Sequence, residues 1–179
     1  MAPQRGTGRS VAKAAITTAL RARTELAARV TAGTLGIFDP PGPANADDLA
    51  GDEGTIVDAI WLQDSDRRSE LDVEVYGGAD PVIYDETLRI AVVIQSIRRG
   101  SSATMAATDE TAEELFGEVL GCLASGPWPV DGGGSDPTED GVEAIVSGVD
   151  WAGGWLPDRS GFLTRAVVDV ELGSRFTLS

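Results

Sequence analysis

Carboxylates are the chemical groups this sequence has in abundance: 29 Asp and Glu stand against 14 basic residues, with a single cysteine and no histidine. Clustered acids can hold a divalent cation, and a candidate cluster is Asp131, Asp136, Glu139 and Asp140 in the stretch SGPWPVDGGGSDPTEDG. That stretch lacks the D-x-[DN]-x-[DN]-G spacing and the glutamate at loop position 12, so it is not an EF-hand and offers at most a casual ion site. Acid pairs elsewhere are as common as chance makes them in so acidic a chain. Without histidine there is no Ser-His-Asp triad, no imidazole acid–base catalyst and no Cys/His zinc site. Cys122 falls in a helical pattern and reads as a small core residue rather than a nucleophile; being alone, it can form no internal disulfide. No glycine run fits GxxxxGK[ST], and no GxGxxG joins a strand to a helix. No catalytic residue, cofactor site or metal ligand is therefore assigned, and the expected role is not enzymatic.

The remaining polar chemistry is charge. Residues 1–30 hold Arg5, Arg9, Lys13, Arg21, Arg23 and Arg29 against Glu25 alone, a net of +5, which leaves −20 on the other 149 residues of a chain whose total is −15. A body this acidic repels nucleic-acid phosphate. All the basic residues but Lys13 are arginine, whose planar fork can grip a carboxylate with two hydrogen bonds. Arg21 and Arg23 on the basic stretch, with Arg98 and Arg99 farther on, are thus candidate contacts to partners. Trp151 and Trp155, in the glycine-rich connection DWAGGWLPDRSG, are read as lids over a core edge or as a docking patch. No apolar run approaches ~18 residues, so no membrane span is expected.

These side chains must be positioned by recognisable elements. The stretch SVAKAAITTALRARTELAARV predicts one continuous helix from an N-cap at Ser10 to Gly33, with a narrow seam of Ile16, Leu20, Arg23, Ala27 and Val30. Its Arg-rich, acid-poor texture also describes a transit peptide, but a removed leader needs no core seam. Residues 36–54, rich in Pro, Gly and Asp, are read as a loop. Strands follow at 56–62 and 71–76, then a long one from near Ile83. In the long strand Leu88, Ile90, Val92 and Ile94 face a core, while Arg89, Ala91, Val93 and Gln95 face away. From Thr108 the period changes: Ala112, Leu115, Phe116, Val119, Leu120 and Leu123 line one side of a helix that Thr108, Asp109 and Glu110 suit as a start. Two closing strands are expected at 142–149 and 163–172. Strands following strands imply an antiparallel sheet. The fold class is accordingly α+β: a mainly antiparallel sheet with an N-terminal helix and a second helix packed on one face. A single domain over 10–179 would follow a flexible N-terminus of residues 1–9.

The segment ETLRIAVVIQSIRRGSSATMAATDETAEELFGEVLGCL and the closing RAVVDVELGSRFTL resemble the strand, packed helix and final edge strand of the tail-terminator proteins of long-tailed bacteriophages, including the minor tail protein U type. The resemblance runs from about Ser10 onward. It implies a structural virion protein at the head-proximal end of the phage tail, assembled in the host cytoplasm. In it a homo-hexameric ring ends polymerisation of the tail tube. The implied partners are sister copies, the major tail tube protein and a head-completion or neck protein, with no cofactor. Six copies would carry −90, and DNA would pass such a ring without specific binding. The basic first helix could pair with acidic neighbours around the ring. A head–tail connector or neck protein of similar fold is the nearest alternative. An acidic Mg²⁺-dependent enzyme and a DNA-mimicking inhibitor are alternatives from other classes.

Overall fold

A computed structural model describes residues 8–40, 42, 56–65, 70–74, 82–129 and 142–178, with backbone alone for 8, 56, 70–74, 82–86 and 174–178. Three helices, α1 (Gly8–Ala22), α2 (Thr24–Thr31) and α3 (Met105–Leu123), lie with six strands: β1 (Leu35–Phe38), β2 (Ile56–Asp64), β3 (Glu70–Glu74), β4 (Val82–Arg99), β5 (Ala144–Trp155) and β6 (Gly161–Leu178). The sheet order is β1-β2-β4-β6-β5, with β3 also on β4. Every pairing is antiparallel except that of β1 with β2, which is parallel.

The core follows from the alternation in the long strands. Leu88, Ile90, Val92 and Ile94 of β4 stand opposite Leu172, Val170, Val168 and Ala166 of β6, and all eight are buried. Ile60 and Leu62 extend this apolar floor onto β2. The helices close it from above with Ala12, Ile16 and Leu20 of α1, Leu26 of α2, and Ala112, Leu115, Val119, Cys122 and Leu123 of α3. Each full burial of a Leu, Ile or Val contributes roughly 1.5–3 kcal/mol. Cys122 is one of these core residues, and burial pushes its thiol up to about 11, against a smaller downward pull from Arg23.

Several expectations need correction. The basic stretch is two helices: at Arg23 the backbone turns extended, with φ −66° and ψ 130°. On a straight helix Leu26 would sit well off the Ile16–Leu20 seam. The break turns it inward, so Leu26 is 0% exposed whereas Val30, assigned to the seam, is 42% exposed. Gly33, at φ +73°, ends α2 as expected, with its N–H and that of Thr34 donating to the carbonyls of Val30 and Arg29, both at 3.0 Å. Helix α1 begins at Gly8 rather than after Ser10; residues 1–7 lie outside the described residues. Helix α3 starts a turn before Thr108: Thr104 is its cap, accepting from the Ala107 N–H at 3.2 Å, while Thr108 is buried beneath the first turn. Residues 35–38, partly assigned to a loop, form β1. The far face of β4 is also dry at its centre, where Ala59, Trp61 and Val93 pack with Phe38 and Val167. There Gly42, at φ +97°, lies so close that a Cβ would stand 2.3 Å from the Trp61 ring. The wet face expected for 71–76 lies outside the described side chains.

Candidate interaction surfaces

The basic residues of the first two helices find acids of their own chain. The Lys13 ammonium donates to Asp64 at 2.6 Å, and Arg9 stands 3.3 Å from the same oxygen. The Lys13 hydrogen bond does most to hold the Asp64 carboxyl below its ordinary range; burial opposes it, and the charges of Lys13 and Arg9 add smaller downward pulls. Arg21 donates to Asp39 at 2.9 Å and to the Ile37 carbonyl at 2.7 Å, fixing α1 to the end of β1. Arg23, at the helix break, donates to Glu118 of α3 at 2.7 Å and lies over Gly121, where a Cβ would meet its guanidinium at 2.8 Å. Arg29 pairs with Glu114 of α3 and reaches within 4.0 Å of Asp58.

Asp58 is the centre of this flank. It is 2% exposed on β2 and accepts from the Ser96 hydroxyl at 2.9 Å and from Arg98 at 2.8 Å. Arg98 also donates to Thr111 of α3 at 2.8 Å. A carboxylate this deep is tolerable because cations and a hydroxyl replace the water it gave up. One signal was legible in IVDAIWL: Asp58 shares the core-facing register of Ile60 and Leu62. The partners that permit it come from α2 and another strand.

Arg99 sits at the end of β4 and pairs with Asp158 at 2.8 Å in the turn between β5 and β6. Hydrogen bonds from Ser160, then Arg99, hold the Asp158 carboxyl well below the usual carboxylate range. In the same turn Leu156 is buried, and Gly161 passes so close to β4 that a Cβ would stand 2.0 Å from the Arg98 carbonyl oxygen.

The opposite flank is built differently. Trp151 and Trp155 are not in a loop but on β5, the outermost strand beside β6. With Gly153 they face the helix side, opposite Ala166, Thr164 and Phe162 of β6. Trp151 meets Phe116 of α3 edge-on, with centroids 5.5 Å apart, and Trp155 lies 4.2 Å from the Phe162 ring. Met105 covers Gly153 between them; a Cβ there would be 2.2 Å from its methyl group. Even so, Trp151 is 45% and Trp155 64% exposed. Of the six candidate contacts, the four arginines are thus engaged within the chain and the two tryptophans face solvent.

A cleft of about 500 Å³ lies beside α1, lined by Arg9, Lys13, Pro40, Asp64 and Leu88 among others. Among the described residues no group of three His, Cys, Asp or Glu is placed to hold a metal ion; Asp131, Asp136, Glu139 and Asp140 lie outside them. No helix of the described residues is long and apolar enough to cross a membrane.

No protein-family model matches the sequence, and no curated protein does. Among solved structures, a chain from the virion of a native gene transfer agent particle is similar, at 16% identity over 92% of this chain and 94% of that chain, with a TM-score of 0.40.

Proposed function

We propose that this chain is a structural virion protein of a long-tailed phage, acting as its tail terminator: a hexameric ring that caps the tail tube, stops its growth and presents a surface to a neck protein. The observation that carries the proposal is the build of the segments that resemble that family. The strand near Leu88, the helix after it and the closing strand are β4, α3 and β6, with β4 and β6 paired over their whole length and α3 laid across them. β6, which the resemblance implied would be an edge strand, lies inside the sheet between β4 and β5, so the likeness is one of element order and not of strand position. The described surface carries acid and aromatic side chains suited to contact, and its net negative charge would keep transiting DNA from adhering.

The arginines take a different part from the one first expected of them. Arg21 ties α1 to the end of β1, Arg23 ties the helix break to α3, and Arg98 ties β4 to β2 and α3 within one subunit. Contacts between sister copies would then fall to other surfaces. The test is reconstitution with the tail-tube subunit of the same phage. Adding the chain should shorten the tubes and leave a sixfold ring at one end in negative-stain images. Tubes of unchanged length with bare ends would overturn the proposal.

A further inference from the structure

We infer that the outer edge of β5 is a docking site for an extended, basic segment of a partner polypeptide, which adds a strand to the sheet and lays Lys or Arg side chains across Trp151 and Trp155. The inference concerns a single copy of the chain and does not depend on a ring.

The backbone supplies the first part. Among the described residues β5 pairs only with β6 over 149–155, and the amide and carbonyl groups of its outer edge there are matched by none of them. Such an edge is a template for another strand unless it is guarded by proline, lysine or a bulge. The β5 sequence AIVSGVDWAGGW has neither proline nor lysine, and Asp150 is its one charged residue. Its bulge lies between Val146 and Gly148, before the tryptophans, which leaves 149–155 in regular register with β6.

The side chains supply the second part. Trp151 and Trp155 stand on one face four residues apart, about 13 Å along the strand. An incoming strand would place two of its residues, also four apart, directly opposite the indoles. Phe116 and Phe162 brace the rings, so their exposed faces are held in place before a partner arrives.

Charge selects the chemistry of the occupant. Glu113 lies one helical turn from both Asp109, which bonds Thr164, and Phe116, which touches Trp151, so it rims the aromatic patch. Glu110 and Glu113 are exposed and have no ion pair among the described residues, whereas Asp150, adjacent to Trp151 in the strand, lies on the opposite face of the sheet. Indole faces attract ammonium and guanidinium groups, and a rim of free carboxylates adds to that attraction. The same rim repels phosphate, which argues against nucleic acid. It also disfavours a second copy, because the cations of α1 and α2 already serve acids of their own chain and like acids would meet across the joint.

The test titrates the isotope-labelled full chain with the peptide acetyl-Val-Arg-Val-Lys-Val-Arg-Val-amide, with an analogue bearing Glu at the three basic positions as control. Amide shifts should concentrate on 149–155, binding should be at least about tenfold stronger than for the acidic analogue, and affinity should fall as salt rises from about 50 to about 300 mM. The double variant Trp151→Ser/Trp155→Ser should lose about tenfold or more while keeping its circular dichroism. Glu110→Gln/Glu113→Gln, both at exposed positions, should weaken binding severalfold and remove most of its salt dependence. Equal binding of the acidic peptide, shifts centred on α1 or its cleft, or unchanged affinity in either double variant would overturn the inference. So would a dimer of the chain alone that the tryptophan variant dissolves, since the occupant would then be a second copy.

Discussion

Along the α1/α2 flank, Arg9, Lys13, Arg21, Arg23 and Arg29 each reach an acid of the same chain, whereas along the β5 flank two indoles and two carboxylates face solvent without such partners. Both flanks border the same helix, α3. On one side Thr111, Glu114 and Glu118 receive arginines; on the other Phe116 meets Trp151. The difference teaches that the +5 charge of the first thirty residues is a poor guide to what the protein contacts. Those cations fasten α1 to the ends of β1 and β2, and the helix break and α2 to α3, and the surface with unmet chemistry is elsewhere.

The contrast is broken most directly at Asp58. Replacing it with Ala leaves Arg98 enclosed without its carboxylate and should cost about 3–5 kcal/mol, read as a lowered urea midpoint. A loss under about 1 kcal/mol would mean that the flank is held by apolar packing alone. Next in size is Leu26→Ala, which should cost about 2–5 kcal/mol, while Val30→Ala should stay within about 0.5 kcal/mol. A straight helix through Arg23 would reverse that ranking, so the pair measures the break itself. The smallest effect is expected at Asp64, whose side chain is 61% exposed. Its folded pKa is depressed, so its stabilising contribution is present above the unfolded value of about 3.9. It fades as pH falls through the lower folded value. Urea midpoints of Asp64→Asn should therefore lie slightly below those of the parent at neutral pH and merge with them in strong acid; a gap that widens on acidification would contradict the pairing with Lys13.

The scaffold was legible where one face of an element decides its sequence. The alternation from Leu88 to Ile94 and the three-and-four spacing from Ala112 to Leu123 are local signals, and the structure follows both. The break at Arg23 was not legible, because its guanidinium partner Glu118 is 95 positions away and nothing in TALRARTELAAR forbids a straight helix. The four residues of β1 are too few for periodicity, and prolines follow at once. Trp151 and Trp155 were misplaced into a loop because Gly153 and Gly154 suggest a turn. In the folded chain one of those glycines makes room for Met105, a contact made from outside the strand. The candidate contacts were sorted by the same kind of distant pairing, which left arginines engaged and tryptophans bare.

The central pairing of β4 with β6 has a further consequence for biogenesis. Its nearest partners, Arg99 and Gly161, are 62 positions apart, and its farthest, Val82 and Leu178, are 96 apart. Such high contact order makes nucleation slow. On the ribosome β4 therefore emerges well before the strand that shields it, and during that interval its row of leucine, isoleucine and valine depends on the early helices or on a chaperone to stay out of aggregates.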